Sequence, residues 1–247
     1  MTALLRAELL KLRTTRTFVG VTGVAVGTSL LIAVLVSILT EPTQESVIVD
    51  VYASDTSSFF IMILAVVGIS GEWRHRTITS SLLAAPDRVR FLVAKVIAYA
   101  AAGVVVSLAI AAAVAVAATV ILGIRDQPLP ELGELLGQVG RNAFLAALLG
   151  AFGVGIGGLV RNQIAAVIGI LVLSFVVEPL VLGLAPDVGR FGPTGALPVA
   201  IADLPPETTG FEEIDLPGVG LAMAAMLAWI GGAFALASGL LVRRDLE

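Results

Sequence analysis

Gly71-Glu72-Trp73-Arg74-His75-Arg76-Thr77-Ile78, continuing to Pro86-Asp87-Arg88-Val89-Arg90 and Lys95, is a charged island between two long apolar runs. The runs on either side, about 54–71 and about 94–122, each supply the ~20 apolar residues needed to cross ~30 Å of hydrocarbon. They read as membrane spans. The loop between them is basic, and short basic loops collect on the cytoplasmic side. It is also longer than a bare connector requires, with room for a helix of its own, which marks it as a docking surface.

The rest of the chain follows the same pattern. Of its 247 residues, 57% are hydrophobic and 14% charged, with a mean hydropathy of +1.01. Such a chain is solvated mainly by lipid. Six spans are predicted, at about 18–39, 54–71, 94–122, 141–160, 164–185 and 218–242. The expected fold is an all-α integral membrane bundle of six transmembrane helices with an N-terminal interfacial helix and room for a further helix in the cytoplasmic loop between spans two and three. No composition shift or linker divides it, so residues 1–247 read as one domain.

With the N-terminus inside, Arg6, Lys11, Arg13, Arg16, Arg74, Arg76, Arg88, Arg90, Lys95, Arg161, Arg243 and Arg244 face the cytoplasm, leaving only Arg125, Arg141 and Arg190 outside. The acidic residues segregate the other way. This asymmetry predicts cytoplasmic termini and a multi-pass protein of a bacterial plasma membrane. Arginine outnumbers lysine 13 to 2, which hints at a GC-rich bacterial genome. The basic stretch before the first span resembles a signal-peptide flank, but the apolar run is too long and no small-x-small cleavage site follows, so the span stays as an anchor. Cysteine is absent, which rules out disulfides and thiolate metal sites.

Between Ala3 and Arg16, Leu5, Leu9 and Leu12 share one helical face, with Arg6 and Arg13 beside it. That spacing predicts a helix lying in the headgroup layer, with Glu8 and Lys11 paired at i, i+3. Small residues recur four apart at Gly23 and Gly27, at Gly153 and Gly157, at Ala224-Ala228-Gly232 and at Gly231-Ala235-Gly239. Such faces allow close helix approach, within the bundle or at a dimer seam.

Glu178 is the one charge away from the first residues of a predicted span, directly before Pro179. Two readings fit it. Pro179 removes a backbone donor and kinks or breaks the helix, so carboxylate and freed carbonyls line a polar pathway; or the helix ends there and Glu178 is hydrogen-bonded to a loop at the outer interface. The following segment, 186–218, is rich in Pro and Gly, yet 195–202 is apolar. It reads either as a short helix dipping into the membrane against protein or as a loop packed over the bundle.

Catalytic motifs are missing. No G-x-x-x-x-G-K-[ST] loop occurs, so ATP hydrolysis is not expected in this chain. Gly68-Ile69-Ser70-Gly71 is similar to the G-x-S-G of intramembrane serine proteases, but the single histidine, His75, lies in the adjacent loop rather than on a facing helix. Neither a metal cluster nor a nucleic-acid partner is expected.

Four features together resemble the membrane subunits of ABC-2-type transporters, in a bacterial, actinobacterial-like subgroup. They are Glu8-Leu9-Leu10-Lys11, the loop from Glu72 to Lys95 with its Arg-Thr-Ile and Pro-x-Arg elements, Arg161-Asn162-Gln163 and Glu178-Pro179. The family often has glycine before the loop threonine, where this chain has Arg76. The resemblance implies the permease half of an exporter, working as a dimer with a homodimer favoured over a heterodimer. A separate ATP-binding subunit, carrying ATP and Mg, would dock on Glu8, Lys11, Glu72, Trp73, Arg74, His75, Arg76, Thr77, Pro86 and Arg88, and residues about 72–90 would contain the cytoplasmic coupling helix between spans two and three. Charge reversal at Glu72, Arg74 or Arg76 is expected to uncouple ATPase from transport without unfolding the bundle. The residues themselves leave two other functions open: an ion- or proton-coupled secondary transporter using Glu178, and a non-transporting assembly or immunity protein binding through the same loop.

Overall fold

The computed structural model describes residues 1–78, 81, 87–204, 211 and 214–243. Among these the chain is all-α, with six helices long and apolar enough to cross a membrane. It is a multi-pass membrane protein. Helix α1 (Thr2–Thr14) is followed by α2 (Arg16–Leu39), a π-helical turn (Ile48–Tyr52), α3 (Ser57–Arg74), α4 (Arg88–Ile124) and α5 (Leu132–Leu159). Next come α6 (Gln163–Leu184), a short α7 (Ala196–Ala202) and α8 (Val219–Arg243).

Helix α5 is the centre of the bundle, packing on α3, α4 and α8. Its glycines make this possible. A Cβ on Gly153 would lie 2.4 Å from the Met62 carbonyl oxygen of α3, and one on Gly103 of α4 would lie 2.5 Å from that of Ala146. Close approach of this kind is what small residues give in lipid, where the hydrophobic effect does not drive helices together. By contrast, Gly23 and Gly27 of α2 and Gly231, Gly232 and Gly239 of α8 have nothing within 4 Å of a built Cβ. The Gly153/Gly157 motif is therefore internal, while the motifs on α2 and α8 face outward. Val24, Leu31, Val105, Val116, Phe175 and Leu236 are also exposed, forming the apolar sheath expected against acyl chains.

Two helices outrun their apolar cores. Asp87 caps α4, its carboxylate accepting from the Val89 and Arg90 amides at 3.1 and 3.0 Å, so α4 begins well before residue 94. Likewise α5 starts at Leu132, and its polar first turns bury Gln138 and Asn142 against each other at 2.8 Å.

Helix α1 is separate from α2, the chain turning at Thr15 in extended geometry. The face it turns to the bundle is Leu5, Glu8 and Leu12, and Leu9 is exposed. The expected face of Leu5, Leu9 and Leu12 is thus rotated. The reason is electrostatic, because Glu8 is drawn inward to a buried lysine.

Candidate functional site

Three of the four sequence features converge at the end of the bundle where α1, α3, α4, α6 and α8 meet. At its heart is a buried ion cluster. Lys95 of α4, 1% exposed, places Nζ 2.7 Å from Glu8 Oε2 and 2.7 Å from Glu72 Oε1. Lys11 reaches the same two carboxylates at 2.8 and 3.1 Å, and donates to Ser81 Oγ at 3.4 Å. The charges balance, two against two, as burial in a low dielectric demands. Burial by itself would raise the Glu8 carboxyl, but Lys95 and Lys11 outweigh it and hold that group below its ordinary value. A cavity of about 400 Å³ opens beside the cluster, walled by Leu12, Phe18, Leu64 and Tyr99.

From this anchor the end of α3 projects as a rim. Arg74, His75, Arg76 and Thr77 are exposed. The helix stops in a Schellman turn, with the Thr77 amide donating to the Glu72 carbonyl at 2.9 Å and the Arg76 amide to that of Trp73 at 3.2 Å. Arg76 takes the left-handed position of that turn, φ 55°, where glycine is the favoured residue. The absence of glycine before Thr77 is therefore a local backbone cost.

The Arg161-Asn162-Gln163 motif meets this rim. Asn162 caps α6 through the Ile164 and Ala165 amides at 2.9 and 3.1 Å. Arg161 lies over the Trp73 ring, 5.0 Å from its centroid. Gln163 accepts from Arg74 Nη1 at 3.1 Å. On the other flank Arg88 donates to the carbonyls of Leu241 and Val242, tying α4 to the end of α8. Pro86 and most of the expected coupling helix, residues 79–80 and 82–86, lie outside the described residues. The predicted docking set thus divides: Glu8, Lys11 and Glu72 form the anchor, Trp73 and Arg88 brace it, and residues 74–77 make the accessible surface.

No protein-family model and no curated protein matches this chain.

Glu72 needs a correction. It is buried and bonded to both lysines, so reversing its charge attacks the bundle itself, and only Arg74 and Arg76 keep the properties expected of a surface test. Lys95 was legible only as one more basic flank. A lone lysine inside Phe91-Leu92-Val93-Ala94-Lys95-Val96-Ile97-Ala98 was the available signal, since such a residue needs a buried partner. Ser70 donates to the Val66 carbonyl at 2.6 Å within α3, in keeping with a packing role.

The fourth feature sits at the opposite end. Glu178 is buried and accepts from the Thr194 amide and hydroxyl at 3.0 and 2.7 Å, and from the Gly195 amide at 2.8 Å. This is the loop-bonded reading of Glu178. Pro179 does not break α6. A π-helical segment, Leu173–Val177, precedes it, and Pro179 falls in the first turn of the helix that resumes, where a missing N–H costs little. Within the apolar stretch 195–202, Ala196–Ala202 form α7, buried against α5 and α8; the Glu178 carboxylate secures its leading end through the Gly195 amide.

Proposed function

We propose that this chain is the permease half of an ATP-driven exporter in a bacterial plasma membrane, with both termini cytoplasmic. It docks a separate ATP-binding subunit through the end of α3 and the connection that follows, and forms the substrate pathway with a second copy of itself. The observation that carries this is the ion cluster joining α1, α3 and α4 directly beneath an exposed basic rim. A partner pressing on Arg74, His75 and Arg76 would act on three helices at once, because the buried Lys95 cannot leave two carboxylates without stranding them. That is the mechanical property a coupling surface needs. Closure of the partner ATPases would then tilt the two membrane halves about their interface.

The test is purification in mild detergent with the ATPase partner. Arg74→Glu and Arg76→Glu are expected to lose the stoichiometric, vanadate-sensitive ATPase while the isolated chain melts as wild type. Variants that assemble and transport normally would reduce the rim to a topological anchor.

A further inference from the structure

The second crossing of the bundle is built in two pieces. The π-helical turn Ile48–Tyr52 runs inward, the chain leaves helical geometry at Asp55 and Thr56, and α3 starts at Ser57. The break is deep. The Thr56 hydroxyl is 2.8 Å from that of Ser29, near the middle of α2, and the Asp55 carboxylate accepts from Ser107 Oγ, near the middle of α4, at 2.5 Å. Discontinuous helices at this depth are tolerated where backbone is covered by protein or faces a site, and they are recurrent places for ion binding.

Asp55 has no counter-ion, since no lysine, arginine or histidine forms an ion pair with it among the described residues. Its other oxygen accepts the Ser57 amide at 2.7 Å. Ser57 is fully buried, and its hydroxyl lies against the same carboxylate without completing a hydrogen bond to any group. Capping of α3 accounts for the Ser57 amide, but it leaves a buried hydroxyl unsatisfied and a mid-bundle carboxyl group without a counter-ion, an arrangement that favours a further partner at this spot.

One carboxylate and two hydroxyls are hard oxygen donors. Calcium draws on more carboxylates than this, and softer metals on thiolate or imidazole. No group of three His, Cys, Asp or Glu stands together among the described residues. A singly charged ion leaves the filled site neutral, the state lipid favours. We propose that Asp55, Ser57 and Ser107 bind a small monovalent cation of the sodium class at the break before α3. The site lies at the far end of α3 from the docking rim, so its success or failure is independent of the transport reading.

The purified full-length chain would be melted across a sodium chloride series, with choline chloride holding ionic strength constant at neutral pH, and ²²Na⁺ binding measured on the same sample. The expected result is a saturable, sodium-specific rise in midpoint with matching isotope binding. Asp55→Asn should abolish both. Ser57→Ala should shift half-saturation upward by roughly tenfold or more, as loss of one group around a bound ion typically does. Glu178→Gln should respond as wild type. Should Asp55→Asn fail to fold, Ser57→Ala carries the test through its isotope-binding curve. Equal midpoints in sodium and choline, variants that bind sodium like wild type, or a response that follows pH and ignores sodium would each overturn the proposal.

Discussion

Replacing Lys95 with methionine isolates the ion cluster in a single step. Methionine keeps an unbranched stem of similar length, deletes the ammonium, and leaves the packing near Phe91, whose ring centre is 5.2 Å from Nζ, largely intact. What remains is Glu8 and Glu72, both buried, sharing a Lys11 whose side chain is 48% exposed. Removing one partner from a buried ionic group costs about 3–5 kcal/mol, because the survivors keep the desolvation penalty without its compensation. For a chain of this size each kcal/mol moves the melting midpoint by roughly 2–4 °C, so a fall of about 6–20 °C is expected. The assay is thermal unfolding of the detergent-solubilised chain, with a second variant to identify the cause. Adding Glu8→Gln to Lys95→Met removes one charge of each sign and leaves the Lys11–Glu72 pair at 3.1 Å, so most of the loss should return. That recovery, measured as a double-mutant cycle, is the signature of charge imbalance as opposed to lost packing. A Lys95→Met chain within about 1 kcal/mol of wild type would refute the reasoning, since that is the range of solvent-exposed bridges.

The same cluster predicts a pH dependence. The folded Glu8 carboxyl sits below its ordinary value of 4.5, so the unfolded chain binds this proton first. Its stabilisation is complete above that ordinary value and drains away as the pH falls through the depressed folded one; the midpoint should hold level from neutral pH and decline in acid, and Glu8→Gln should remove that share of the decline. Arg76→Gly should raise the midpoint by the equivalent of about 1 kcal/mol, the cost of a side chain in the left-handed region. Gly153→Ala drives a methyl into the Met62 carbonyl and should cost about 1–3 kcal/mol, whereas Gly23→Ala, in open space, should be neutral or slightly stabilising by the same melting assay.

The six crossings were readable because lipid imposes one rule on every span, and apolar length reports it directly. Partnerships were not. Glu8 and Lys11 are three residues apart and their pairing follows from helix geometry, while Glu8 and Lys95 are 87 apart and no local pattern joins them. The same limit hides the depth of Asp55, which in sequence stands at the outer end of the span 54–71: only the inward π-helical turn carries it to the level of Ser29 and Ser107. Small-residue motifs were visible as motifs, but which face is covered depends on neighbours contributed by distant sequence, so Gly153 and Gly23 read alike and behave differently. For the docking set, the order of Glu8, Glu72 and Arg161 along the chain gave their shared end of the bundle, and burial then divided anchor from surface.

The central place of α5 has a consequence for how the chain is made. Spans enter the membrane in order of synthesis, and α2, the crossing that ends in α3, and α4 are each long and apolar enough to cross a membrane. The main packing partner of α3 and α4, helix α5, is still on the ribosome when they do so, whereas α2 already meets its own in α4. Helix α1 waits as well, since the lysine that seats Glu8 arrives only with α4. Until residue 159 has been translated, α3 and α4 lack their main partner, and the bundle closes when the glycine faces of α5 pack between them. Assembly is therefore a late event, set by the fourth crossing and completed by the sixth.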